Sequence, residues 1–375
     1  MKQANAAGVL ALILSSGALT RKQLQERTGL SWGAVSQIAA GLLAGGYLRE
    51  SKRTSQTGLG RAPSYLEADP DCCRVIGLDV NCSALRAAVT ALDGTELTSI
   101  TDASGFGNAA QFMEGILSIA DRAVRAADGR RILCMGIAMQ GRVDPAKGIS
   151  IALPQLPDWE NVPLQSILQD RFQIPVFLEH DPNCILYARQ MGDLSGDAIL
   201  LRLDHGIGMS VMRDGKAEIG PGMFEIGHVC ADPGGPRCSC GRCGCLELYA
   251  SIRGLERSEG RPFEEISAAA RRGETAALGR FHTMARHLAV AVSNAVQLLN
   301  IRRILLCGRL CEDRDLFLEE FIQTVRRISD GRDYEFVVTD VRDAAYGAAL
   351  YALEKRIRTI PLDEGKDGFH ESSRD

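Results

Sequence analysis

Glu225-Ile226-Gly227-His228 is closely followed by Cys238-Ser239-Cys240-Gly241-Arg242-Cys243-Gly244-Cys245-Leu246-Glu247, so one imidazole and several thiols fall in a single short segment. That is metal-ligand spacing. Zinc takes four nitrogen or sulfur ligands in a tetrahedron, and glycines between close cysteines let the backbone wrap until several thiolates face one ion. Ordinary buried thiols are the alternative, and the tight clustering weighs against it. Four protein ligands close the shell and leave no position for an activated water, so a structural ion is expected here rather than a catalytic one.

A second constellation lies at the front of the chain. Ser31, Trp32, Ala34, Ser36 and Gln37 combine small side chains, which permit close approach, with an amide able to pair bidentately with adenine. Lys22, Arg49, Lys52 and Arg53 supply cations for phosphates, and Arg61, within Gly58-Leu59-Gly60-Arg61-Ala62-Pro63, suits a narrow minor groove. Residues 1 to 65 hold eight basic and two acidic side chains, a charge of +6 that leaves −10 for the rest of a chain whose net charge is −4. A basic module on an acidic body points to a polyanion partner for the front end alone.

The elements that must carry these residues follow from periodicity and caps. Val9, Leu10, Leu12 and Ile13 form a helical face, Thr20-Arg21-Lys22-Gln23 is a capping box that starts a second helix, and Gly29 ends it. Ser31 caps a third helix with apolar Val35, Ile38, Leu42 and Leu43, terminated by Gly45-Gly46. Two strands, Tyr47 to Glu50 and Ser64 to Glu67, flank the polar loop Ser51 to Pro63 and complete a winged helix-turn-helix. In that arrangement the third helix enters the major groove by its N-terminal end. A helical protein-interaction module has the same periodicity; the charge asymmetry and the wing favour DNA.

With 375 residues, two or three domains are expected. Twelve cysteines raise the reading of a secreted disulfide protein, with the apolar run Gly8 to Leu14 as a signal peptide. That run has no small-residue cleavage site and flows into further helical pattern, so a cytoplasmic protein with reduced thiols and no membrane span is expected. Cys72, Cys73, Cys82, Cys134, Cys184, Cys307 and Cys311 are expected as small core residues.

From Arg74 the pattern becomes α/β. Strands are expected at Val75 to Val80, Ala84 to Ala91, Ile132 to Met139, Val176 to Leu178, Ala198 to Leu203, Met209 to Met212 and Arg303 to Cys307. Helices are expected at Gln111 to Ala127, from Asn183 to about Met191, at Pro262 to Arg271, Thr275 to Asn300 and Ala344 to Glu354, with Gly141-Arg142-Val143-Asp144 a turn. Strands and helices in two successive sets describe a two-lobed body with a cleft.

These residues resemble the ROK family of repressors and sugar kinases, and the order of modules is similar to its xylose-type and N-acetylglucosamine-type repressors. The resemblance covers nearly the whole chain. It rests on the Gly-Arg-Ala-Pro wing, Gly141 to Asp144, Leu156-Pro157-Asp158-Trp159-Glu160-Asn161, and Glu225 to Glu247. It implies an N-terminal winged helix-turn-helix (1–68) joined to a two-lobed actin-like, ribonuclease H-like sugar kinase fold. Lobe 1 would span 73–195, completed by helix 341–357, lobe 2 with the zinc site 196–340, and 358–375 would be a disordered tail. It implies zinc on His228, Cys238, Cys240 and Cys245, with Cys243 a possible substitute ligand where the family varies. It also implies a sugar site at His180, Asp181, Glu225, His228 and Glu247, in which Asp181 matches the catalytic base of the kinases. Sugar hydroxyls both donate and accept, so converging carboxylates and imidazole suit such a ligand.

Departures from the kinase pattern bear on activity. The first phosphate loop reads Asp79-Val80-Asn81-Cys82-Ser83 without its glycines, the second is Asp204-His205-Gly206, the nucleotide-side glycine pair is Gly308-Arg309, and His180 replaces an Asn. Phosphoryl transfer depends on positioning and charge stabilisation, so three altered loops predict that ATP is neither needed nor turned over. The sequence therefore predicts a sugar-responsive repressor with Asp181 a vestigial base. Its partners would be operator DNA, a sugar or sugar-derivative effector, and its own copies in a homodimer or homotetramer. An active sugar kinase with an appended DNA-binding domain is the alternative, with Asp181 as its support.

Overall fold

The structure is a computed structural model that describes residues 2–52, 64–103, 105–191, 196–218, 224–329, 331, 333–339 and 343–360. At the front, α1 (Lys2–Ser16) leads into β1 (Leu19–Thr20), α2 (Arg21–Thr28) and α3 (Trp32–Ala44), followed by β2 (Leu48–Lys52) and β3 (Ser64–Ala68). The capping box forms as its sequence requires: the Thr20 hydroxyl accepts the Gln23 N–H at 3.2 Å, and the Gln23 side-chain oxygen accepts the Thr20 N–H at 2.9 Å. Gly29, in the left-handed region at φ +69°, ends α2, and the Ser31 hydroxyl accepts the Ala34 N–H at 3.3 Å to start α3. The sheet order is β1-β3-β2, so a two-residue strand completes a three-stranded wing sheet. The loop between β2 and β3, with Arg53 and Arg61, lies outside the described residues.

The body continues with β4 (Arg74–Asn81), β5 (Ala84–Ala91), β6 (Glu96–Asp102), α4 (Ala109–Ala126), β7 (Ile132–Met139), β8 (Arg142–Asp144), β9 (Ile149–Leu153), β10 (Leu156–Val162), α5 (Leu164–Phe172), β11 (Val176–His180) and α6 (Asp181–Met191). Then come β12 (Ala198–Leu203), β13 (Ile207–Arg213), β14 (Lys216–Ala217), α7 (Glu247–Ala250), α8 (Ile252–Glu259), α9 (Phe263–Arg271) and α10 (Thr275–Leu299). The last are β15 (Arg303–Cys307), α11 (Leu318–Ile328), β16 (Glu335–Val338) and α12 (Asp343–Ile357). The expected turn at Gly141 to Asp144 is instead a strand: Gly141 turns the chain at φ +81°, and β8 pairs with β9.

Two compact units result, and the chain passes between them at residues 137/138, 163/164, 178/179 and 347/348. The first holds the sheet β11-β7-β4-β5-β6, up to Ile137 in β7 and Leu178 in β11. Its apolar core is continuous from the front end into the body: Val9, Leu10, Leu24, Val35 and Leu66 share one cluster with Val75, Leu133, Ala349 and Leu353. Residues 358–360, expected in a tail, close α12 and bury Ile360 in the same cluster; 361–375 lie outside the described residues.

The second unit holds the sheet β14-β13-β12-β15-β16 and the small sheet β10-β9-β8. Strand β12 runs antiparallel to β13 and parallel to β15, and every residue of β12 is buried. Against these strands α10 packs Phe281, Met284, Leu288 and Val292. The turn after β15 is possible only for glycine: Gly308 has φ +108°, and a Cβ there would lie 2.1 Å from the Leu203 carbonyl oxygen. Of the cysteines expected in cores, Cys72 and Cys82 are only half-buried, whereas Cys73, Cys134, Cys184, Cys307 and Cys311 are buried.

Candidate metal centre and sugar pocket

A short 3-10 turn, Ile226–His228, presents His228, and a hairpin-like excursion presents the thiols. Cys238 N–H donates to the Arg242 carbonyl at 2.7 Å, and isolated bridges pair Cys230 with Cys245 and Arg237 with Cys243. Gly244, at φ +63°, allows the excursion to fold back, since a Cβ there would fall 1.6 Å from the Asp232 oxygen. His228, Cys238, Cys240 and Cys245 each bring one ligand atom within 4.8 Å of all the others. Cys240 and Cys245 Sγ are 3.6 Å apart, and Cys238 Sγ lies 3.8 Å from His228 Nδ1. A tetrahedral zinc with ordinary bond lengths has edges of roughly 3.6–3.8 Å, so the donor set fits that ion. Cys230 and Cys243 are exposed and outside the group. Burial pushes the Cys245 thiol up to about 12. Burial also raises Cys240, but the Arg242 backbone and the neighbouring thiols outweigh it and hold that thiol below its ordinary value.

Beside this group opens a cavity of about 290 Å³ lined entirely by the second unit. That is the small end of the ~300–1,000 Å³ usual for small-molecule sites, suited to a monosaccharide-sized ligand. All five sugar-site residues expected from sequence, His180, Asp181, Glu225, His228 and Glu247, line it. The strand-to-helix junction between β11 and α6 supplies His180 and Asp181, with His180 Nε2 3.4 Å from Asp181 Oδ1. Glu247, opening α7, accepts the Ile207 N–H at 3.3 Å. Gly206 makes room for it, because a Cβ there would lie 2.7 Å from the Glu247 carboxylate. Buried Trp159, which also lines the cavity, donates its indole N–H to Ser150 Oγ at 2.9 Å, and neighbouring Glu160 lines the cavity as well.

Sequence reasoning missed Arg202. It stands in the otherwise apolar β12, is buried, donates to the Asp181 carboxylate, and lies 3.7 Å from Asp204 Oδ2. A lone cation in a fully buried strand implies a buried counter-charge. That signal was present; its partner was not.

The three loops expected from sequence to depart from the kinase pattern have these geometries. Asn81 Oδ1 accepts the Ser83 N–H at 2.8 Å, closing an Asx turn, and Asp79 pairs with Arg86 at 3.2 Å. Asp204 Oδ1 accepts the His205 N–H at 2.8 Å. Arg309 is pinned by Asp313 at 2.7 Å and lies 5.1 Å over the Phe263 ring.

At the front end, Val35, Ile38, Ala39 and Leu42 bury one face of α3. Ser31, Trp32 and Gln37 are exposed, Trp32 by 53%, and Ala34 and Ser36 are half-buried between them. Among the basic residues nearby, Arg49 is paired with Glu67 at 2.9 Å and Arg21 with Glu50 at 2.7 Å. Arg61 lies outside the described residues.

A winged helix-turn-helix joined to an α/β body with a Cys3His cluster beside a carboxylate-lined pocket defines a narrow class of proteins. The chain belongs to the ROK family, whose description matches residues 69–355. It is similar to the xylose repressor of Caldicellulosiruptor bescii, 25% identical over 94% of this chain and 96% of that one. It is also similar to the DNA-binding transcriptional dual regulator NagC of Escherichia coli, 26% identical over 95% and 93% of the two chains. Among solved structures, a ROK family transcriptional regulator described as a homologue of the E. coli MLC protein superposes with TM-score 0.79 at 22% identity, covering 96% of this chain and 98% of that one. The ROK hexokinase of Thermus thermophilus superposes with TM-score 0.64 at 27% identity, covering 75% and 98%. The body therefore has the fold shared by ROK regulators and ROK sugar kinases. Among the described residues, no helix is long and apolar enough to cross a membrane.

Proposed function

We propose that this protein is a sugar-responsive transcriptional repressor of carbohydrate-utilisation genes, acting in the cytoplasm as a homodimer or homotetramer on operator DNA. The observation that carries the reading is the exposed N-terminal half of α3, presented by a module that shares its core with a sugar kinase-like body. Ser31, Trp32, Ala34, Ser36 and Gln37 would meet base edges, with Arg61 in the minor groove. The functional modules would be residues 1–68, a first lobe at 73–195 completed by 341–357, and a second lobe at 196–340.

His180, Asp181, Glu225, His228 and Glu247 would bind sugar hydroxyls. Zinc on His228, Cys238, Cys240 and Cys245 would hold this segment folded. With Nδ1 on the metal side, His228 keeps a proton on its other ring nitrogen, a fixed donor for the ligand.

The body would bind without phosphorylating. The Asp181 carboxylate is already engaged by the Arg202 guanidinium through Oδ2 and lies 3.4 Å from His180 Nε2 through Oδ1, so a sugar hydroxyl would compete with both. The Asp79 to Ser83 turn satisfies its own backbone through side chains, and Arg309, which would stand where the kinases carry a glycine, is tied to Asp313. One observation favours the kinase alternative: Asp181 opens α6 on the wall of the pocket. An ADP-release assay over pentoses, hexoses and acetamido sugars, paired with retardation of DNA fragments from the source genome, tests the reading. Specific retardation without turnover is expected; turnover abolished by Asp181→Asn would establish the kinase instead.

A further inference from the structure

The corner between β11 and α6 carries cavity-lining side chains, and a residue that does not reach the cavity holds it from behind. Glu179, just before His180, is 1% exposed. Its Oε1 accepts two hydrogen bonds, from the His180 N–H at 2.8 Å and from the Asn183 side-chain amide at 2.9 Å. One carboxylate oxygen thus ties the last residue of β11 to the first turn of α6, and the residues it spans are His180, Asp181 and Pro182. All three line the cavity. Pro182 has no N–H to satisfy, and it fits against Gly208, where a Cβ would lie 2.6 Å from its Cγ. A carboxylate is a costly brace. Among the described residues nothing donates to Glu179 Oε2, which is buried as well. Neutral donors on one oxygen and none on the other do not replace the water a carboxylate gives up, and the positive end of α6 offsets only part of that loss. Stability alone therefore does not account for Glu179; what it holds in place does.

We propose that Glu179 is a positioning residue: it fixes the β11–α6 corner so that the His180 imidazole and the Asp181 carboxylate, 3.4 Å apart, face the cavity in a set arrangement. The use of those two groups toward a sugar rests on the sensor reading, whereas the brace itself does not. Glu179→Gln keeps an acceptor oxygen for both donors and removes the buried charge; Glu179→Ala removes the brace.

With only six histidines in the chain, the ring signals of the full-length protein labelled with 15N-histidine can be read singly, His180 being assigned from His180→Gln. In Glu179→Ala the His180 signal is expected to shift or broaden while those of His282 and His287 on α10 stay in place, and Glu179→Gln should restore the parent spectrum. Asn183→Ala, which removes only the helix side of the brace, should move the same signal less and covers the case in which Glu179→Ala does not fold. Calorimetry with xylose, glucose and N-acetylglucosamine adds the ligand readout. For whichever sugar binds, affinity should fall roughly tenfold in Glu179→Ala, the scale of the two hydrogen bonds lost, and stay within about twofold of the parent in Glu179→Gln. An unmoved His180 signal in the folded variants overturns the inference, as do changes that spread equally to His282 and His287 or an equal loss of affinity in the Gln and Ala variants. If the parent binds no sugar while the His180 signal responds as expected, the sensor reading fails alone and the positioning role stands.

Discussion

Removing Sγ from Cys240 leaves three donors where a closed zinc shell needs four, so Cys240→Ser is expected to lower zinc stoichiometry in the purified protein. It should also lower the melting temperature of the second unit, because metal-binding free energy is partly folding free energy. Atomic absorption on the variant checks this, and full zinc content would count against the Cys3His set. The metal segment was the most legible part of the chain, since ligand type and spacing are local properties. The pocket was legible only through resemblance, because Asp181 and Glu247 converge through tertiary contacts. Arg202 illustrates the gap. Its oddity in β12 is plain in the sequence, but the pairing with Asp181, on a different element, exists only once β12 lies beside the start of α6.

Asp313 shows at the level of elements how the second unit is fastened. It accepts from Ser267 and Arg271 on α9 and from Arg309 after β15, the two arginines at 3.1 and 2.7 Å. Burial alone would raise its carboxyl, but these donors outweigh it and hold the group below the ordinary range. A depressed folded-state value means the stabilisation is fully present above the unfolded value of about 3.9 and is lost as pH falls through the lower folded value. Asp313→Asn should therefore cost about 1–3 kcal/mol at neutral pH and flatten the acid limb of a stability-versus-pH curve. Melts from neutral to acid pH measure it; parallel curves for the two proteins would refute it. Elements with strong local signals were legible, including α2 and α3 with their caps and the apolar β7 and β12. Strands β8 to β10 were not. Leu156–Val162 carries Pro157, Asp158 and Asn161, residue types depleted in strands, and it becomes a strand because β9 supplies a partner across a bulge.

For the molecule as a whole, the shared core of the first unit means that the N-terminal helical module is not an independent bead. Leu353 on α12 lies in one cluster with Val35 and Leu66, so Leu353→Ala is expected to destabilise the unit by about 2–5 kcal/mol. It should speed hydrogen exchange in α2 and α3 as well as in α12; protection unchanged in α2 and α3 would show that the front end is held separately. Gln37→Ala, on the exposed face of α3, should weaken binding at one base position by about 1–3 kcal/mol while leaving sugar binding untouched, measured by fluorescence anisotropy on operator variants. Sequence periodicity correctly gave a small basic front end and an α/β body. The continuity of their cores was beyond it, because α12, far along the chain, supplies much of the apolar surface that joins them.

The central claim of the proposed function is that sugar binding in the cavity and operator binding by α3 are thermodynamically linked. Linkage is reciprocal, so operator DNA must change the affinity for sugar by the same factor that sugar changes the affinity for operator. The direct measurement is the sugar dissociation constant with and without saturating operator. A typical coupling predicts a change of roughly 5- to 150-fold, matched in the reverse titration. Equal sugar affinities in the two titrations would contradict the account.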